Sequence, residues 1–562
     1  IELGLRDADL QDVPRLSFGR ACDLFDRLEP KYAQLPEWEG ELYFELHRGT
    51  LINQGRIKRW NRRLEQSIAA VEILLASGTP DEWPARELDK IWKLILQYQF
   101  HDIVTGASLR EVNQIVLADY AKIDAGLTEF ATNFAAARGN TEQETLTFLQ
   151  TQNHGYRRLL ELPASWENHQ VFDETGAPVP AQRDSAGLVA AAPLAPLSRL
   201  RLVRGGTQPT PAAVPGTELK LENDLVRCEF RDNGTLVSLF DKRLGQEMIA
   251  PEGGNRLLLY VDTPRIFEGW EVEITDLDIA PEAAEAEREP EVERGELRSL
   301  IRFFLKIGRS RIEQTVILER DASRLDFITR ADWREHQRRL RTEFAATTRS
   351  REAYCGIQHG FLRRTLHTNT SWDLARFEFC AHQFADLSDD AGGLALLDNG
   401  RYGHSAFPGS LELSLLRSDN DPDVEADNGE HDFTYALYSH PADFRHSEVI
   451  AEAAALNRAP LALANAAHLP ELPFELEGDG VFVEAFKRAE KSADRILRLG
   501  EVKGLHSAVR LRVKEGTVFF CDALEWQQGD AATPDAAGWI TIPFHPFEVR
   551  TLRIRSAEGF KK

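Results

Sequence analysis

The chain has 562 residues, more than one hydrophobic core usually organises, so we expect several domains. Its formal net charge of −23 would repel nucleic acid and anionic membranes, which excludes both as expected partners and favours a neutral ligand. The sequence contains no long apolar run and no basic segment followed by an apolar core, which predicts neither a membrane span nor a signal peptide.

Residues 17–140 show helical periodicity, because apolar side chains recur there every three to four positions. Amphipathic helices are predicted over residues 18–28, 56–76, 87–98 and 108–137. Together they predict a helical bundle. The basic side chains of the second helix are interpreted as a solvated face. These side chains are Arg56, Lys58, Arg59, Arg62 and Arg63.

A sharp break before the last predicted helix carries His101 and Asp102 side by side. Imidazole and carboxylate groups both bind metal ions, so the pair is a candidate site, while the alternative is a hydrogen-bonded structural histidine. One histidine cannot hold a metal alone, because catalytic zinc takes about three protein ligands. Ser108 and Glu111 have the spacing of a capping box, which predicts that they close the start of the following helix.

After Thr145 the pattern changes to short apolar or alternating segments with frequent Pro and Gly, which predicts strands. Residues 141–218 are predicted to form a small β region and linker, with the linker itself at 204–216. Strand signals then repeat at short intervals, which predicts a large β-sandwich over residues 219–460 and a C-terminal β-domain over residues 461–562.

Two further signals concern the turns of this β half. Asn233-Gly234 and Asn399-Gly400 each lie between strand-like segments, and this dipeptide predicts a hairpin. The acidic run 282–296 predicts a solvated loop or the edge of a hairpin.

Several motifs, in order along nearly the whole chain, resemble glycoside hydrolase family 38, the zinc-dependent α-mannosidases, in its bacterial and cytosolic branch. They are Gly40-Glu-Leu-Tyr-Phe-Glu-Leu-His-Arg-Gly-Thr50, Gln99-Phe-His-Asp-Ile103, Leu221-Glu-Asn-Asp224, Ser238-Leu-Phe-Asp-Lys242, Asn369-Thr-Ser-Trp-Asp373 and Gly429-Glu-His-Asp-Phe-Thr-Tyr-Ala-Leu437. The resemblance implies a multidomain fold, in which a helical bundle is followed by antiparallel β-sandwich domains. It implies that residues 219–460 form a galactose-mutarotase-like sandwich, and that residues 1–16 end an N-terminal catalytic α/β domain.

The resemblance also implies a zinc cofactor, with His101 as one metal ligand and Asp102 as a contact to sugar hydroxyls. The implied reaction is retaining hydrolysis of terminal α-linked mannose, which needs a nucleophile and an acid/base about 5 to 5.5 Å apart. No residue of this sequence is a candidate for either role or for the remaining zinc ligands. The resemblance implies that an N-terminal catalytic domain supplies these groups, so we expect them upstream of Ile1, and we expect the isolated chain to be inactive.

Three further residues are candidates for substrate binding. His47 and Arg48 follow an aromatic pair in a segment that the resemblance places near the sugar pocket, and the alternative is a loop held by an arginine–carboxylate pair. Trp270 is a candidate to stack on a sugar face, against the alternative that it packs inside a sandwich or loop.

The leading hypothesis is the C-terminal part of an α-mannosidase, with a mannose-containing oligosaccharide as substrate and the N-terminal catalytic domain as its partner. A homo-oligomer is left open. The second hypothesis is a catalytically silent carbohydrate-binding or scaffolding module. A third, a mutarotase-like enzyme, is disfavoured because the matched β motifs contain no clear His–Glu acid–base pair.

The cysteine content bears on the compartment. The five cysteines are odd in number, widely scattered and without C-x-x-C spacing, which disfavours a disulfide framework and predicts a cytoplasmic protein. They are Cys22, Cys228, Cys355, Cys380 and Cys521.

Overall fold

The computed structural model describes residues 2–7, 10–12, 17–139 and 144–555. The chain divides into two units, residues 1–44 and residues 45–562. The first unit contains helices α1 (Glu2–Asp7) and α2 (Ala21–Leu28). The predicted boundary near residue 140 and parts of the predicted tail 1–16 lie outside the described residues, and the domain boundaries stay predictions.

The second unit begins with the three long helices expected from the sequence. Their bounds lie within two residues of the predicted ones, because the apolar periodicity begins and ends with each helix. The helices of this unit are α3 (Gly55–Ala76), α4 (Ala85–Tyr98), α5 (Arg110–Ala136), α6 (Ser371–Ala375) and α7 (Val449–Asn457).

The apolar faces of α3, α4 and α5 form one core. Ile57 and Leu64 of α3 are fully buried in it, and so is Tyr120 of α5. The Tyr98 and Tyr120 rings meet edge to face, with 5.5 Å between their centroids. Packing of amphipathic faces therefore stabilises these helices against one another.

The far end of α3 packs against the C-terminal β-domain. Ile73 and Ala76 share a core with Phe486, and all three are completely buried. Arg495 Nε donates a hydrogen bond of 2.9 Å to the carbonyl oxygen of Ala76. A cation at a helix C-terminus satisfies an otherwise orphaned carbonyl and complements the helix dipole.

The prediction that the basic side chains of α3 face solvent is wrong for two of them. Lys58 and Arg62 are only 3% and 4% exposed. Arg62 Nη2 lies 3.1 Å from His382 Nδ1, and the guanidinium lies 5.1 Å from the centroid of the Tyr402 ring. Residues of the β half cover this face, which no local charge pattern reveals.

Most of the remaining chain is antiparallel β-sheet. The first strands are β1 (Thr145–Leu149), β2 (Leu160–Leu162), β3 (His169–Asp173), β4 (Ala181–Asp184), β5 (Gly187–Ala190), β6 (Arg199–Thr207), β7 (Val214–Gly216), β8 (Lys220–Glu222), β9 (Val226–Phe230), β10 (Leu236–Asp241), β11 (Gln246–Glu247), β12 (Arg256–Val261), β13 (Glu282–Ala283), β14 (Glu285–Arg294), β15 (Arg298–Ile307), β16 (Ser310–Glu319), β17 (Arg324–Trp333) and β18 (Arg338–Ala345). The others are β19 (Glu352–Ile357), β20 (Gly360–Thr365), β21 (Phe379–Cys380), β22 (Phe384–Ser388), β23 (Gly392–Asp398), β24 (Gly403–Phe407), β25 (Ser410–Ser418), β26 (Gly429–Pro441), β27 (Leu461–Ala464), β28 (Phe474–Glu477), β29 (Val481–Arg488), β30 (Arg495–Glu501), β31 (Ser507–Val513), β32 (Thr517–Cys521), β33 (Gln528–Ala531), β34 (Ile540–Phe544) and β35 (Val549–Arg555).

Two large sheets build the central sandwich. One has ten strands in the order β20-β19-β22-β23-β26-β17-β16-β15-β14-β7, and the other has six in the order β13-β12-β18-β25-β24-β21. Phe327 and Tyr435 of the first sheet stack at 5.1 Å, and Phe344 of the second meets them edge-on at 5.8 and 6.3 Å. This packing confirms the predicted fold class, a helical region followed by antiparallel β-sandwich domains.

Smaller sheets complete the β half. Their orders are β27-β1-β6-β3, β2-β5-β4, β11-β10-β9-β8, β28-β31-β34 and β29-β30-β35-β32-β33. The last two form the C-terminal β-domain on which α3 rests.

The turn predictions have different outcomes. Asn233-Gly234 does connect the antiparallel pair β9 and β10. Asn399-Gly400 does not form a hairpin, because β23 before it belongs to the ten-stranded sheet and β24 after it to the six-stranded sheet.

The predicted linker 204–216 is strand at both of its ends. Strand β6 runs to Thr207, and β7 pairs with β14. The acidic run 282–296 includes β13 and β14, whose residues are mostly exposed.

None of the helices in the described part of the chain combines the length and the apolar character needed to cross a membrane.

Candidate functional site

The turn between α4 and α5 presents His101 and Asp102 to solvent. The His101 side chain is 77% exposed and that of Asp102 is 49% exposed, with 3.7 Å between Nε2 and Oδ2. The Phe100 ring lies 4.2 Å from the imidazole, centroid to centroid, and is itself half exposed. The predicted break therefore exists, and it displays an accessible imidazole beside a carboxylate.

The predicted capping box is wrong. Leu109 is the N-cap of α5 and provides no side-chain hydrogen bond to it. Ser108 lies one residue too early, and its Oγ donates instead to the carbonyl oxygen of Asp102 at 2.6 Å. Thr105 Oγ1 donates to the carbonyl oxygen of His101. The two hydroxyls thus close the turn around the His101–Asp102 pair.

His47 lies on a second segment, where an acidic side chain fixes it. Both its backbone N–H and its Nδ1 contact Glu271, and the Nδ1–Oε1 distance is 2.7 Å. His47 has a φ of +64°, a left-handed conformation that costs energy outside glycine. The carboxylate of Glu271, which is 7% exposed, stabilises this conformation.

Arg48 is buried and holds the same segment against the β-sandwich. Its Nε and Nη2 donate to the carbonyl oxygen of Ala375 at 3.1 and 2.6 Å. The guanidinium lies 4.6 Å from the centroid of the Phe377 ring. Through these contacts Arg48 joins two chain segments.

Trp270 contacts this segment through its backbone. Its carbonyl oxygen accepts a hydrogen bond of 2.8 Å from the N–H of Gly49. Its half-buried ring lies edge to face with Phe267 at 6.4 Å. The structure thus brings the backbone of Trp270 beside the segment that carries His47 and Arg48.

A cavity of about 690 Å³ opens between these segments. His47 and Arg48 line one side of it, and the exposed side chains of Ile266 and Phe267 line another. Glu271 and Glu273 add carboxylates. The cavity is large enough for a sugar-sized ligand. The sequence singled out Trp270 but not the more exposed Phe267, which lies in the same turn and whose carbonyl oxygen accepts a hydrogen bond from the N–H of Trp270.

Asn53 connects this cavity wall to the interior of the β-sandwich. Its Nδ2 donates to the carbonyl oxygen of Gly269 and, at 2.6 Å, to Asp419 Oδ2. Its Oδ1 accepts a hydrogen bond of 2.8 Å from Arg417 Nη1. Arg417 also donates to the carbonyl oxygen of Glu271 through Nη2. Asn53 and Arg417 therefore fix the loop that carries Trp270.

Lys58 connects Asn53 to the turn with His101. Its Nζ donates to the carbonyl oxygens of Asn53, Val104 and Thr105, the last two at 2.9 and 3.0 Å. The two predicted parts of the site are thus joined by one hydrogen-bonded network. Lys58, Asn53 and Arg417 were missed as site residues, since their partners lie far away in sequence.

Burial shifts the pKa of two groups in this network, Lys58 and Asp419. It lowers the pKa of Lys58 to about 7, because the ammonium loses its hydration, while Asp427 opposes the shift. It raises the pKa of Asp419 to about 7, because the carboxylate is desolvated, while Arg417 opposes the shift.

A metal site is not complete within the described residues. Across residues 2–7, 10–12, 17–139 and 144–555, no group of three or more His, Cys, Asp or Glu side chains could hold a metal ion. The donors at 101 and 102 fit one corner of a zinc site, an accessible imidazole with a carboxylate beside it.

Comparisons with known proteins agree with the motifs and with the fold. Three family models match, the alpha mannosidase middle domain over residues 45–137, the glycosyl hydrolases family 38 C-terminal domain over residues 221–425, and the glycosyl hydrolases family 38 C-terminal beta sandwich domain over residues 480–552.

Curated relatives match along almost the whole chain. Human Alpha-mannosidase 2C1 is 34% identical over 577 residues, covering 97% of this chain and 53% of that protein. Alpha-mannosidase G of Dictyostelium discoideum is 29% identical and covers 98% of this chain and 55% of that protein. The chain therefore spans about half the length of the curated relatives it matches.

A solved structure shares the fold. An alpha-mannosidase from Enterococcus faecalis V583 superposes with a TM-score of 0.76 at 16% identity, covering 94% of this chain and 72% of that one. Together, the domain order and the matching relatives show that the chain belongs to glycoside hydrolase family 38.

Proposed function

We propose that the chain is the C-terminal part of a zinc-dependent, retaining α-mannosidase that removes terminal α-linked mannose from oligosaccharides. The observation that carries the proposal is the exposed His101–Asp102 pair, held on a turn by Ser108 and Thr105. An exposed imidazole on a fixed turn is suited to bind a metal that other chain segments also bind. Relatives named alpha-mannosidase, matched over nearly the whole chain, support the choice of reaction.

In this proposal His101 is one zinc ligand and Asp102 contacts sugar hydroxyls beside it. When bound, zinc would attract and orient vicinal hydroxyls of the sugar electrostatically. The other zinc ligands, the nucleophile and the acid/base would come from an N-terminal catalytic domain, the expected partner of this chain. The protein would act in the cytoplasm.

The proposed substrate wall is the cavity beside His47. His47, with its side chain 40% exposed and oriented by Glu271, would donate to or accept from a sugar hydroxyl. Arg48 would shape the wall by holding residue 375, and Trp270 would support the apolar surface that Phe267 presents.

The test compares two histidines in the protein that includes the upstream sequence. Zinc-dependent hydrolysis of an aryl α-mannoside is measured for wild type, His101→Ala and His446→Ala. His446 is a matched control because it is 68% exposed and lies 3.0 Å from Asp443. We expect His101→Ala to abolish hydrolysis and His446→Ala to retain it.

Two outcomes contradict the proposal. Hydrolysis that survives both chelation and His101→Ala would exclude a metal role for this residue. Metal-independent sugar binding without any hydrolysis would favour the silent carbohydrate-binding or scaffolding module instead.

A further inference from the structure

The buried ammonium of Lys58 has a specific set of partners. An ammonium has three N–H donors, and three carbonyl oxygens accept them, those of Asn53, Val104 and Thr105. Val104 and Thr105 lie two and three residues after Asp102 in the same turn. Lys58 therefore binds the backbone of the turn that presents the candidate metal ligand, and it does so from the face of α3 expected to be solvated.

The other end of the same turn is attached to the same helix. Gln99 Nε2 donates to Asn61 Oδ1 at 3.0 Å and to Glu65 Oε1 at 2.7 Å. Positions 58, 61 and 65 are three and four residues apart, so they lie along one face of α3. This face thus holds the turn before and after His101.

A contact between backbones strengthens the attachment at the Lys58 end. Gly106 lies against Asn53, and Lys58 donates to the Asn53 carbonyl as well as to the turn. Removing the ammonium would leave carbonyl oxygens of both segments without their donor. A buried polar group without a hydrogen-bond partner is unfavourable, so these carbonyls would turn towards water and the turn would loosen.

We propose that Lys58 is a positioning residue, whose ammonium fixes the 99–106 turn and thereby the direction of the His101 imidazole. The part that concerns metal rests on the proposed function, whereas the anchoring of the turn does not. Lys58 contacts neither metal nor substrate in this proposal and acts only through the backbone.

The first experiment measures hydrogen exchange of backbone amides in the 562-residue chain. Lys58→Met keeps the volume of the side chain and removes its donors. We expect amides of residues 100–107 to exchange about tenfold faster, because local opening becomes easier, while amides of β16 stay within about twofold. Lys93→Met is the control, since Lys93 is 73% exposed and pairs with Asp89 on α4.

The second experiment measures the affinity for zinc by competition with a chelator, in the protein that includes the upstream sequence. We expect Lys58→Met to weaken zinc binding about 10- to 100-fold, as loss of an outer-shell partner does, and Lys93→Met to leave it unchanged. A merely structural lysine would lower stability without changing metal affinity in the folded protein.

The two readouts separate the failure of this inference from that of the proposed function. Unchanged exchange at 100–107 in folded Lys58→Met overturns the anchoring, whatever the enzyme does. Faster exchange in a protein whose wild type binds no zinc supports the anchoring and contradicts the proposed function. If circular dichroism shows Lys58→Met unfolded, Lys58→Leu, which also removes the donors, is judged by the same criteria.

Discussion

Gly106 lies so close to Asn53 that a β-carbon on the glycine would come within 2.7 Å of the Asn53 carbonyl oxygen. Gly106 also has a φ of +83°, in the left-handed region that other residues avoid. The turn after His101 can therefore approach α3 this closely only because residue 106 has no side chain.

Gly106→Ala should destabilise the 562-residue chain by about 1–3 kcal/mol, because the methyl group both strains the backbone and displaces Asn53. Urea unfolding measures the change. The control is Gly126→Ala in α5, where no atom lies within 4 Å of the new methyl group. That substitution should stabilise the chain by up to about 1 kcal/mol. Equal effects of the two substitutions would contradict the contact with Asn53.

Glu72 predicts a pH dependence of stability. Burial raises the pKa of this α3 carboxyl to about 7, although Trp92 Nε1 donates to it at 2.9 Å. Between about pH 4.5 and pH 7 the Glu72 carboxyl therefore holds its proton more in the folded chain than in the unfolded chain. The contribution of Glu72 to the free energy of unfolding falls as the pH rises through this window.

Glu72→Gln should remove that dependence, since an amide does not titrate and still accepts from Trp92. The free energy of unfolding of the variant minus that of wild type should rise by about 2–3 kcal/mol from pH 4.5 to pH 7.5. Urea unfolding at both pH values measures this change. Glu87→Gln on the exposed side of α4 serves as control. Parallel pH profiles of wild type and Glu72→Gln would show that Glu72 does not titrate differently in the folded chain.

Arg417 should be among the most sensitive positions in the β-sandwich. The completely buried guanidinium pairs with Asp262 and with Asp419, at 3.4 Å in the second pair. Arg417→Ala leaves buried carboxylates without their cation and should cost about 3–5 kcal/mol in urea unfolding. Arg334→Ala, at an exposed pair with Asp332, should leave the free energy of unfolding nearly unchanged. If Arg417→Ala lowers the free energy of unfolding only slightly, water must replace the guanidinium beside the two carboxylates.

Glu271→Gln tests the orientation of His47 in the proposed enzyme. The neutral amide has one acceptor oxygen instead of two and carries no charge, so it binds the backbone N–H and the imidazole less strongly than the carboxylate does, and His47 should lose its fixed direction. We expect KM for an aryl α-mannoside to rise about three- to tenfold with little change in kcat. Glu273→Gln changes the charge of the same cavity wall without contacting His47, and it should leave KM within about twofold. Equal KM values for the two variants would exclude a binding role for His47.

Local pattern predicted the helices well and their surroundings poorly. The bounds of α3 followed from apolar periodicity, because that periodicity is a property of the helix itself. The burial of Lys58 and Arg62 did not follow, since the residues that cover them, such as His382, lie more than three hundred positions later. Charge runs usually face solvent, and only the tertiary fold shows the exception.

The turn and site residues show the same limit. Asn399-Gly400 correctly marked a turn, yet the turn passes from one sheet to the other, where Gly400 packs against the backbone of Arg59. His101 and Asp102 were found because they interrupt a helical pattern. Asn53 and Arg417 do not interrupt any pattern of the sequence, and only their contacts in the folded chain distinguish them from other polar residues.

Helix α3 has 22 residues and so extends about 33 Å, from the turn with His101 to the C-terminal β-domain. At its far end Ile73 and Ala76 lie in the core of that domain, and Arg495 binds its last turn. The C-terminal sheets therefore fix one end of α3, and the other end of the helix binds the turn that presents the candidate metal ligand. Trimming those sheets would shift a group that none of their residues touches.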